Sequence, residues 1–441
     1  MPMPSSKPPQ LPHLSNPSSK PCRHASPPLI PALITPPSTT PTATPCRLSM
    51  PASPTISTPS PYTSTPKCTQ PNAKCSTSNP AFPLPPPPST PSNTSSPPHS
   101  LTTPRAPPTP ASTPSTALRA ADLLRDLVPD AGHLHHMPTH LDILVGDYRR
   151  AIASNTAAVH ADNKYLALHG AKNMYSFYRL HDYHSLIYAA MLSGQRQIAL
   201  QALDPMESTL TEDILTTQSP PLADWLEFFK SVRVHVYIRF GMWDEIIALP
   251  LPPAEKQDLY CVTTAMTYYG KGIAYAATRN LTDADIQREL YLAAANRVPE
   301  SRRDYPNRIV DVMKVATAML NGEIEYRRDN FDVAFEHLRQ AVREDDALLY
   351  TEPWGWMVPT RHAYGALLLE QGHVEEAARA YAEDLGIEDR LTRAHQHPGT
   401  VWALHGYYEC LERLGRHAEA RIIKQQLDVA VGVADVHFLV V

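Results

Sequence analysis

The segment Gly372-His373-Val374-Glu375-Glu376-Ala377 decides the fold, because its pattern recurs along the chain. A small residue is followed two positions later by a large apolar or aromatic residue and five positions later by Ala. Segments 146–151 (GDYRRA) and 415–420 (GRHAEA) are close copies, and looser copies begin at Gly194, Gly241, Asp329 and, most degenerately, near Arg279. Successive anchors are 48, 47, 38, 50, 43 and 43 residues apart.

Each anchor predicts a turn between two helices. The small residue suits a left-handed or tight turn, where a Cβ atom is penalised. The large side chain fills the gap between the helices, and the Ala lets the second helix approach the first. Helical periodicity on both sides of the turn, as in 362–370 and 375–384, agrees with this interpretation. We therefore predict an all-α fold of about seven helical hairpins.

These offsets of Gly, aromatic residue and Ala resemble the tetratricopeptide repeat (TPR) family over residues 134–427. The resemblance implies a right-handed α-solenoid of TPR-like hairpins. Two departures are visible: the spacing exceeds the roughly 34 residues of the standard repeat, and the Pro that usually closes each repeat is mostly missing.

The block 132–140 (GHLHHMPTH) is similar to a GHLxHMPxH block in a poorly characterised, mainly bacterial TPR protein family. Segments 178–184 (YRLHDYH), 352–356 (EPWGW) and 397–402 (HPGTVW) extend this resemblance. Members of that family usually carry further helical pairs and another His-bearing motif upstream, where this chain has Pro-rich sequence. A truncated gene model or the loss of the first repeats would account for the difference.

Residues 1–116 have a different composition from the rest of the chain. They hold 34 of the 47 Pro residues and no Asp, Glu, Gly or Val, so they have too little apolar surface to offset backbone entropy. We predict a disordered tail over residues 1–116 and a helical-repeat domain over 117–441. Three origins of the tail stay open: an organelle transit peptide, an interaction tail with PLPPPP at 83–88, or non-coding sequence wrongly joined to the gene, which we favour.

Charge and cysteine content exclude several partners. Seven basic and no acidic residues precede position 117, whereas 32 basic and 44 acidic residues follow it, so clustered cations for nucleic acid are not evident. No apolar run reaches 18 residues, so we expect no membrane partner. Only Cys261 and Cys410 lie outside the tail, which fits a reducing compartment. We expect a cytoplasmic protein, or an organellar one if the tail is a transit peptide.

Binding of a protein or peptide partner, without catalysis, is the predicted function. In stacked hairpins the first helices form a concave groove that commonly holds a peptide or a helix of a partner. The candidate groove residues are aromatic or His: Tyr178, His181, His184, Tyr268, Tyr269, Trp354, Trp356, His362 and Tyr407. Motifs of metalloproteases, nucleotide loops and serine hydrolases are absent from the sequence, so we predict no enzymatic activity and no cofactor.

A histidine cluster carries the alternative prediction, a metal-binding protein or a metal-dependent enzyme on the same scaffold. Imidazole is a common ligand of zinc, copper and iron. The candidate ligands are His133, His136, His140, His181 and His184. Pro138 suits the start of a helix, and Asp182 or Asp142 could accept hydrogen bonds from the ligands. The competing interpretation is that these histidines only cap helices and pack on nearby tyrosines.

Overall fold

A computed structural model describes residues 114–436 of the protein, with side chains from residue 117 onward. This part of the chain is mostly helical, in agreement with the predicted all-α class. The tail expected over residues 1–116 lies outside the described residues, apart from the start of the first helix, so it stays a prediction. Among the described helices, none combines the length and apolar character needed to cross a membrane.

The helices follow one another along the chain, with long connections at 347–359 and 385–400. In the first half of the domain they are α1 (Pro114–Asp122), α2 (Gly132–His136), α3 (Thr139–Val145), α4 (Tyr148–His169), α5 (Tyr175–Leu192), α6 (Arg196–Glu207), α7 (Glu212–Leu215), α8 (Leu222–Leu226), α9 (Val232–Arg239) and α10 (Trp243–Ala248). In the second half they are α11 (Cys261–Ala277), α12 (Leu281–Ala295), α13 (Ile309–Arg327), α14 (Phe331–Asp346), α15 (Thr360–Glu370), α16 (Val374–Asp384), α17 (Val401–Arg413) and α18 (His417–Val431). A two-stranded antiparallel hairpin, β1 (Arg303–Asp304) and β2 (Asn307–Arg308), precedes α13.

All seven predicted anchors lie between two helices and have positive φ angles. The angles are 79° at Gly146, 72° at Gly194, 62° at Gly241, 62° at Arg279, 64° at Asp329, 80° at Gly372 and 70° at Gly415. Five residues after each anchor, the side chain is fully buried at Ala151, Ala199, Ile246, Ala284, Ala334, Ala377 and Ala420. The anchor pattern thus has the physical meaning assigned to it: a left-handed turn, then a small or compact side chain at the helix contact.

Helices that flank an anchor pack against each other, as α11 does on α12, α13 on α14, α15 on α16 and α17 on α18. Most of the buried apolar side chains belong to one continuous core that extends from α4 to α18. The helix pairs are therefore not separate small domains.

The last helix pair and the residues that flank it also contact α4, α5 and α6 near the start of the array; we name this set of contacts the end-to-end contact. The Tyr148 hydroxyl donates to the Pro398 carbonyl at 2.9 Å, and the Trp402 indole Nε1 donates to the Met191 carbonyl at 2.7 Å. The Asp435 carboxylate accepts from the first backbone amides of α6 at 2.7 and 2.8 Å. An array in which each repeat touches only its neighbours has no such contact.

Six of the nine predicted groove residues are buried: His184, Tyr269, Trp354, Trp356, His362 and Tyr407. Internal contacts explain two of them. The Trp354 indole donates to Asp345 at 2.8 Å, and the Trp356 ring packs edge-on against Tyr269 with centroids 5.6 Å apart. Tyr178 is exposed, and His181 and Tyr268 are partly exposed. A partner at the outer surface of the described residues would thus not reach the six buried side chains.

Candidate metal site

Two short helices and one long helix bring four histidines together. His133 and His136 lie on α2, three residues apart, and His140 lies in the first turn of α3. Pro138 directly precedes α3 with φ of −61°, as its fixed backbone angle predicts. His181 approaches from the middle of α5, which packs against α2.

His136 is at the centre of the cluster. Its Nε2 atom lies 2.9 Å from Nε2 of His140 and 2.9 Å from Nε2 of His181. The His136 side chain is completely buried, whereas about a third (32%) of the His133 side chain is exposed. The cluster therefore reaches the surface at one side.

Asp182 adds a carboxylate to this cluster. One ligand atom from each of His133, His136, His181 and Asp182 lies within 4.8 Å of the others, so this group could hold a metal ion. Oδ1 of Asp182 lies 3.4 Å from Nδ1 of His133 and 3.5 Å from Nδ1 of His136.

Two imidazoles of the cluster have an oxygen partner on Nδ1. Nδ1 of His136 lies 2.9 Å from Oδ1 of Asn155, and Nδ1 of His140 lies 2.8 Å from Oε2 of Glu352. Oxygen acceptors at Nδ1 place the ring proton there and leave a lone pair on each Nε2. Lone pairs that face each other at 2.9 Å repel, and either a proton on one Nε2 atom or a shared metal ion removes this repulsion.

A second buried carboxylate, Asp162, lies behind the cluster. Its Oδ1 atom accepts from the Tyr175 hydroxyl at 2.8 Å, and the Oδ2 atoms of both Asp162 and Asp182 have no partner among the described residues. Burial raises the pKa of both carboxyl groups, and the proximity of Asp182 raises that of Asp162 further. A Cβ atom at Gly132 would lie 1.9 Å from Asp162, so only Gly fits beside this carboxylate.

The histidines of the cluster are suited to act as ligands. Burial lowers the pKa of His136 and His181 well below the ordinary value, and neighbouring imidazoles lower it further. Burial also lowers the pKa of His133. A neutral imidazole keeps the lone pair that a metal ion requires.

Four of the five predicted ligands come together, and His184 does not. Its Nε2 atom lies 3.0 Å from Sδ of Met357, and its ring packs edge-on against Phe229. These contacts hold His184 away from His181, although the two residues are three positions apart on α5. Asp142 is also outside the cluster, because its carboxylate accepts from Arg125 at 2.7 and 2.8 Å.

Three polar partners of the cluster were not predicted: Asn155, Asp162 and Glu352. Asn155 and Asp162 lie seven residues apart on α4, on the same face as the buried Ala151 and Ala158. Polar residues at core positions of an amphipathic helix are a signal that could have revealed both. Glu352 lies between helices and far along the chain, so no local pattern indicates its contact with His140.

No model of a known protein family matches the chain, and no curated protein matches it. The similarities to TPR proteins and to the GHLxHMPxH family therefore rest on the motifs themselves.

Proposed function

We propose that the protein binds a transition-metal ion, with zinc as the first candidate, through the imidazoles of His136, His140 and His181. One observation carries this proposal: Nε2 of His136 lies 2.9 Å from Nε2 of both other rings. Zinc is usually tetrahedral, and around such an ion with Zn–N bonds of about 2.1 Å the ligand nitrogens are about 3.4 Å apart. Each of the two pairs at 2.9 Å would separate by about 0.5 Å when its nitrogens become neighbouring ligands of one zinc ion.

His133 and Asp182 are the additional ligands. With His136 and His181 they form the group whose ligand atoms lie within 4.8 Å of one another, and a pair at that limit would close by about 1.4 Å around a tetrahedral ion. A set rich in imidazole with one carboxylate suits zinc, copper, iron or nickel, whereas magnesium and calcium prefer oxygen ligands.

Asn155 and Glu352 would orient two of the ligands. Ligand histidines usually give their second ring proton to a carboxylate or carbonyl group, which fixes the tautomer and the direction of the lone pair. The contacts of His136 with Asn155 and of His140 with Glu352 have this form.

The alternative to metal binding is a hydrogen-bonded arrangement of the same side chains without an ion. If the Asn155 amide is turned over, its nitrogen donates to Nδ1 of His136, and Nε2 of His136 then donates to His140. The rings would form a hydrogen-bonded chain without an ion, and the protein would bind no metal at this position.

The test is metal analysis of the full chain, purified without a His tag, together with zinc titration of the chelator-treated protein. We expect about one equivalent of bound metal and a rise in melting temperature on addition of zinc, because the ion binds the folded state. The substitutions His140→Ala and His181→Ala should each weaken zinc binding at least about tenfold.

His160→Ala is the matched control, because His160 is an exposed histidine on α4 and lies outside the cluster. It should bind zinc as the unaltered protein does. Less than about 0.1 equivalent of metal in the unaltered protein, with no thermal shift on adding zinc, would contradict the proposal and favour the hydrogen-bonded chain.

For the scaffold, we propose that the helix pairs are TPR-like repeats of a right-handed solenoid. The left-handed turn at all seven anchors and the buried residue five positions later support this assignment. The expected role as a peptide-binding groove has less support, because six of its nine residues are buried. Metal binding is therefore the function that we place first.

A further inference from the structure

A cavity of about 590 Å³ lies where helices α9, α11, α13, α15 and α17 converge. Pockets that bind small molecules have volumes of about 300 to 1,000 Å³. Apolar and aromatic side chains form much of the wall, among them Trp243, Tyr269, Met319, Leu367 and Trp402. The cavity is separate from the histidine cluster, since none of the cluster residues lines it.

The charged residues of this wall differ in their pairing. Nε of Arg327 lies 2.8 Å from the Glu323 carboxylate, and Arg413 forms an ion pair with Glu409. Arg239 is different, because no carboxylate of the described residues lies within ion-pair distance of it. A charged guanidinium in a protein interior normally has such a partner.

Arg239 keeps most of its hydrogen-bonding capacity free. Nη2 donates to Nδ1 of His362 at 3.0 Å, and the buried Nε has no partner among the described residues. The guanidinium carbon lies 4.8 Å from the centre of the Trp402 ring. Burial lowers the pKa of Arg239 to about 10, so the group is still a cation at neutral pH. Of its five N–H donors, one has a hydrogen-bond partner among these residues.

Tyr381 places a hydroxyl near this cation. It belongs to α16 and reaches the cavity between Gly365 and Gly406, where added Cβ atoms would lie 2.7 and 2.2 Å from its ring. Only 4% of Tyr381 is exposed, and its hydroxyl forms no hydrogen bond with another described residue. This hydroxyl is open to the cavity, so a ligand group there can accept a hydrogen bond from it.

We propose that this central cavity binds a small organic monoanion, a carboxylate on an apolar or aromatic body. Arg239 and Tyr381 donate to the carboxylate, and Trp402 contacts the body of the ligand. The Asp384 charge acts on Arg239 from beyond His362, and the free guanidinium donors of Arg239 match the two oxygens of one carboxylate. A phosphate monoester carries nearly two negative charges. The carboxylates of Glu323, Glu370 and Glu409 in the same wall repel its second negative charge.

The test uses the full chain and three probes of similar size: benzoate, phenyl phosphate and benzylamine. Trp243 and Trp402 line the cavity, so binding should quench tryptophan fluorescence. We expect saturable quenching by benzoate below about 20 mM, binding of phenyl phosphate at least about tenfold weaker, and no binding of benzylamine. Phenyl phosphate binding as tightly as benzoate, or benzylamine binding, would overturn the assignment to a carboxylate.

Two variants and a control locate the site. Arg239→Gln should weaken benzoate binding at least about tenfold, because it removes a charge-assisted hydrogen bond. Tyr381→Phe keeps the ring and should weaken binding about threefold or more, which tests the site if Arg239→Gln fails to fold. Arg343→Gln removes an exposed arginine of α14 that is paired with Glu336 and does not line the cavity, so it should leave binding unchanged. No saturable binding of benzoate, or equal binding by all three variants, would refute the proposal.

Discussion

His235 shows how burial alone sets the state of a side chain in this protein. The residue is buried on α9, and its Nδ1 atom has no partner among the described residues. Its ring lies edge-on to Trp356, with centroids 4.7 Å apart. Burial lowers the pKa of His235 to about 4, from an ordinary value near 6.5. The ring is therefore neutral in the folded protein under conditions in which the unfolded chain binds a proton.

Acidification should therefore destabilise the protein through His235. Above pH 6.5 neither state is protonated at this residue, and between pH 6.5 and about 4 the unfolded state gains a proton that the folded state does not. The corresponding loss of stability is up to about 3 kcal/mol at 1.36 kcal/mol per pH unit. In His235→Phe this loss should be absent, so urea unfolding at pH 7, 6, 5 and 4.5 should show a shallower pH dependence than in the unaltered protein.

At pH 7, the difference in free energy of unfolding between His235→Phe and the unaltered protein measures the packing effect of the Phe ring. This difference is the reference for the values at lower pH. Parallel pH curves for His235→Phe and the unaltered protein would show that His235 is protonated in the folded state, contrary to this expectation.

At the level of helices and turns, Gly146 has two separate reasons to be Gly. Its φ angle is 79°, and a Cβ atom would lie 2.3 Å from the Pro398 carbonyl oxygen. Gly415 has a similar φ angle of 70°, but no atom lies within 4 Å of the position of its Cβ. The two turns thus separate the cost of the left-handed backbone from the cost of close approach.

Gly415→Ala should lower the free energy of unfolding by about 1 to 2 kcal/mol, the cost of a left-handed residue with a Cβ atom. Gly146→Ala should lower it by that amount and about 1 to 3 kcal/mol more, because the added methyl group overlaps the Pro398 carbonyl. Denaturant unfolding of both variants measures the difference. Equal losses would mean that the backbone at 398 moves away without cost.

For the described part of the chain as a whole, the end-to-end contact couples segments about 200 residues apart. The Thr400 hydroxyl donates to the Leu192 carbonyl at 2.8 Å, and Nε2 of His397 lies 2.8 Å from the Tyr188 hydroxyl. Asp384 extends this contact toward the central cavity, because it accepts from both His397 at 2.7 Å and His362 at 2.8 Å. Burial acts to raise the pKa of Asp384, but the two imidazoles hold it below its ordinary value.

Destabilising the last helix pair should therefore also destabilise α5. Leu411 is fully buried on α17, and Leu411→Ala should cost about 2 to 5 kcal/mol. Hydrogen exchange followed by mass spectrometry should show faster exchange in α15, α16 and α5 than in α11, which lies outside this contact. Faster exchange in α15 and α16 with an unchanged α5 is the result of an open array and would contradict the coupling.

The histidine cluster shows which contacts a sequence pattern can predict and which it cannot. His133, His136 and His140 are close in sequence, and the motif was sufficient to predict that they lie together. His181 depends on the pairing of α5 with α2, which the repeat pattern suggested. Glu352 and the exclusion of His184 depend on packing between distant segments, and no local pattern contains that information.

The sequence by itself determined the helical class, the seven anchor turns and the small side chains that follow them, because steric rules for a turn and for a close helix contact act within about ten residues. Only the tertiary structure decided that the end-to-end contact forms, that Trp354 and Trp356 are buried, and that Arg239 faces a cavity without a carboxylate partner. These features depend on how the helices and the segments between them pack, and a local sequence pattern does not contain the angles at which successive helix pairs meet.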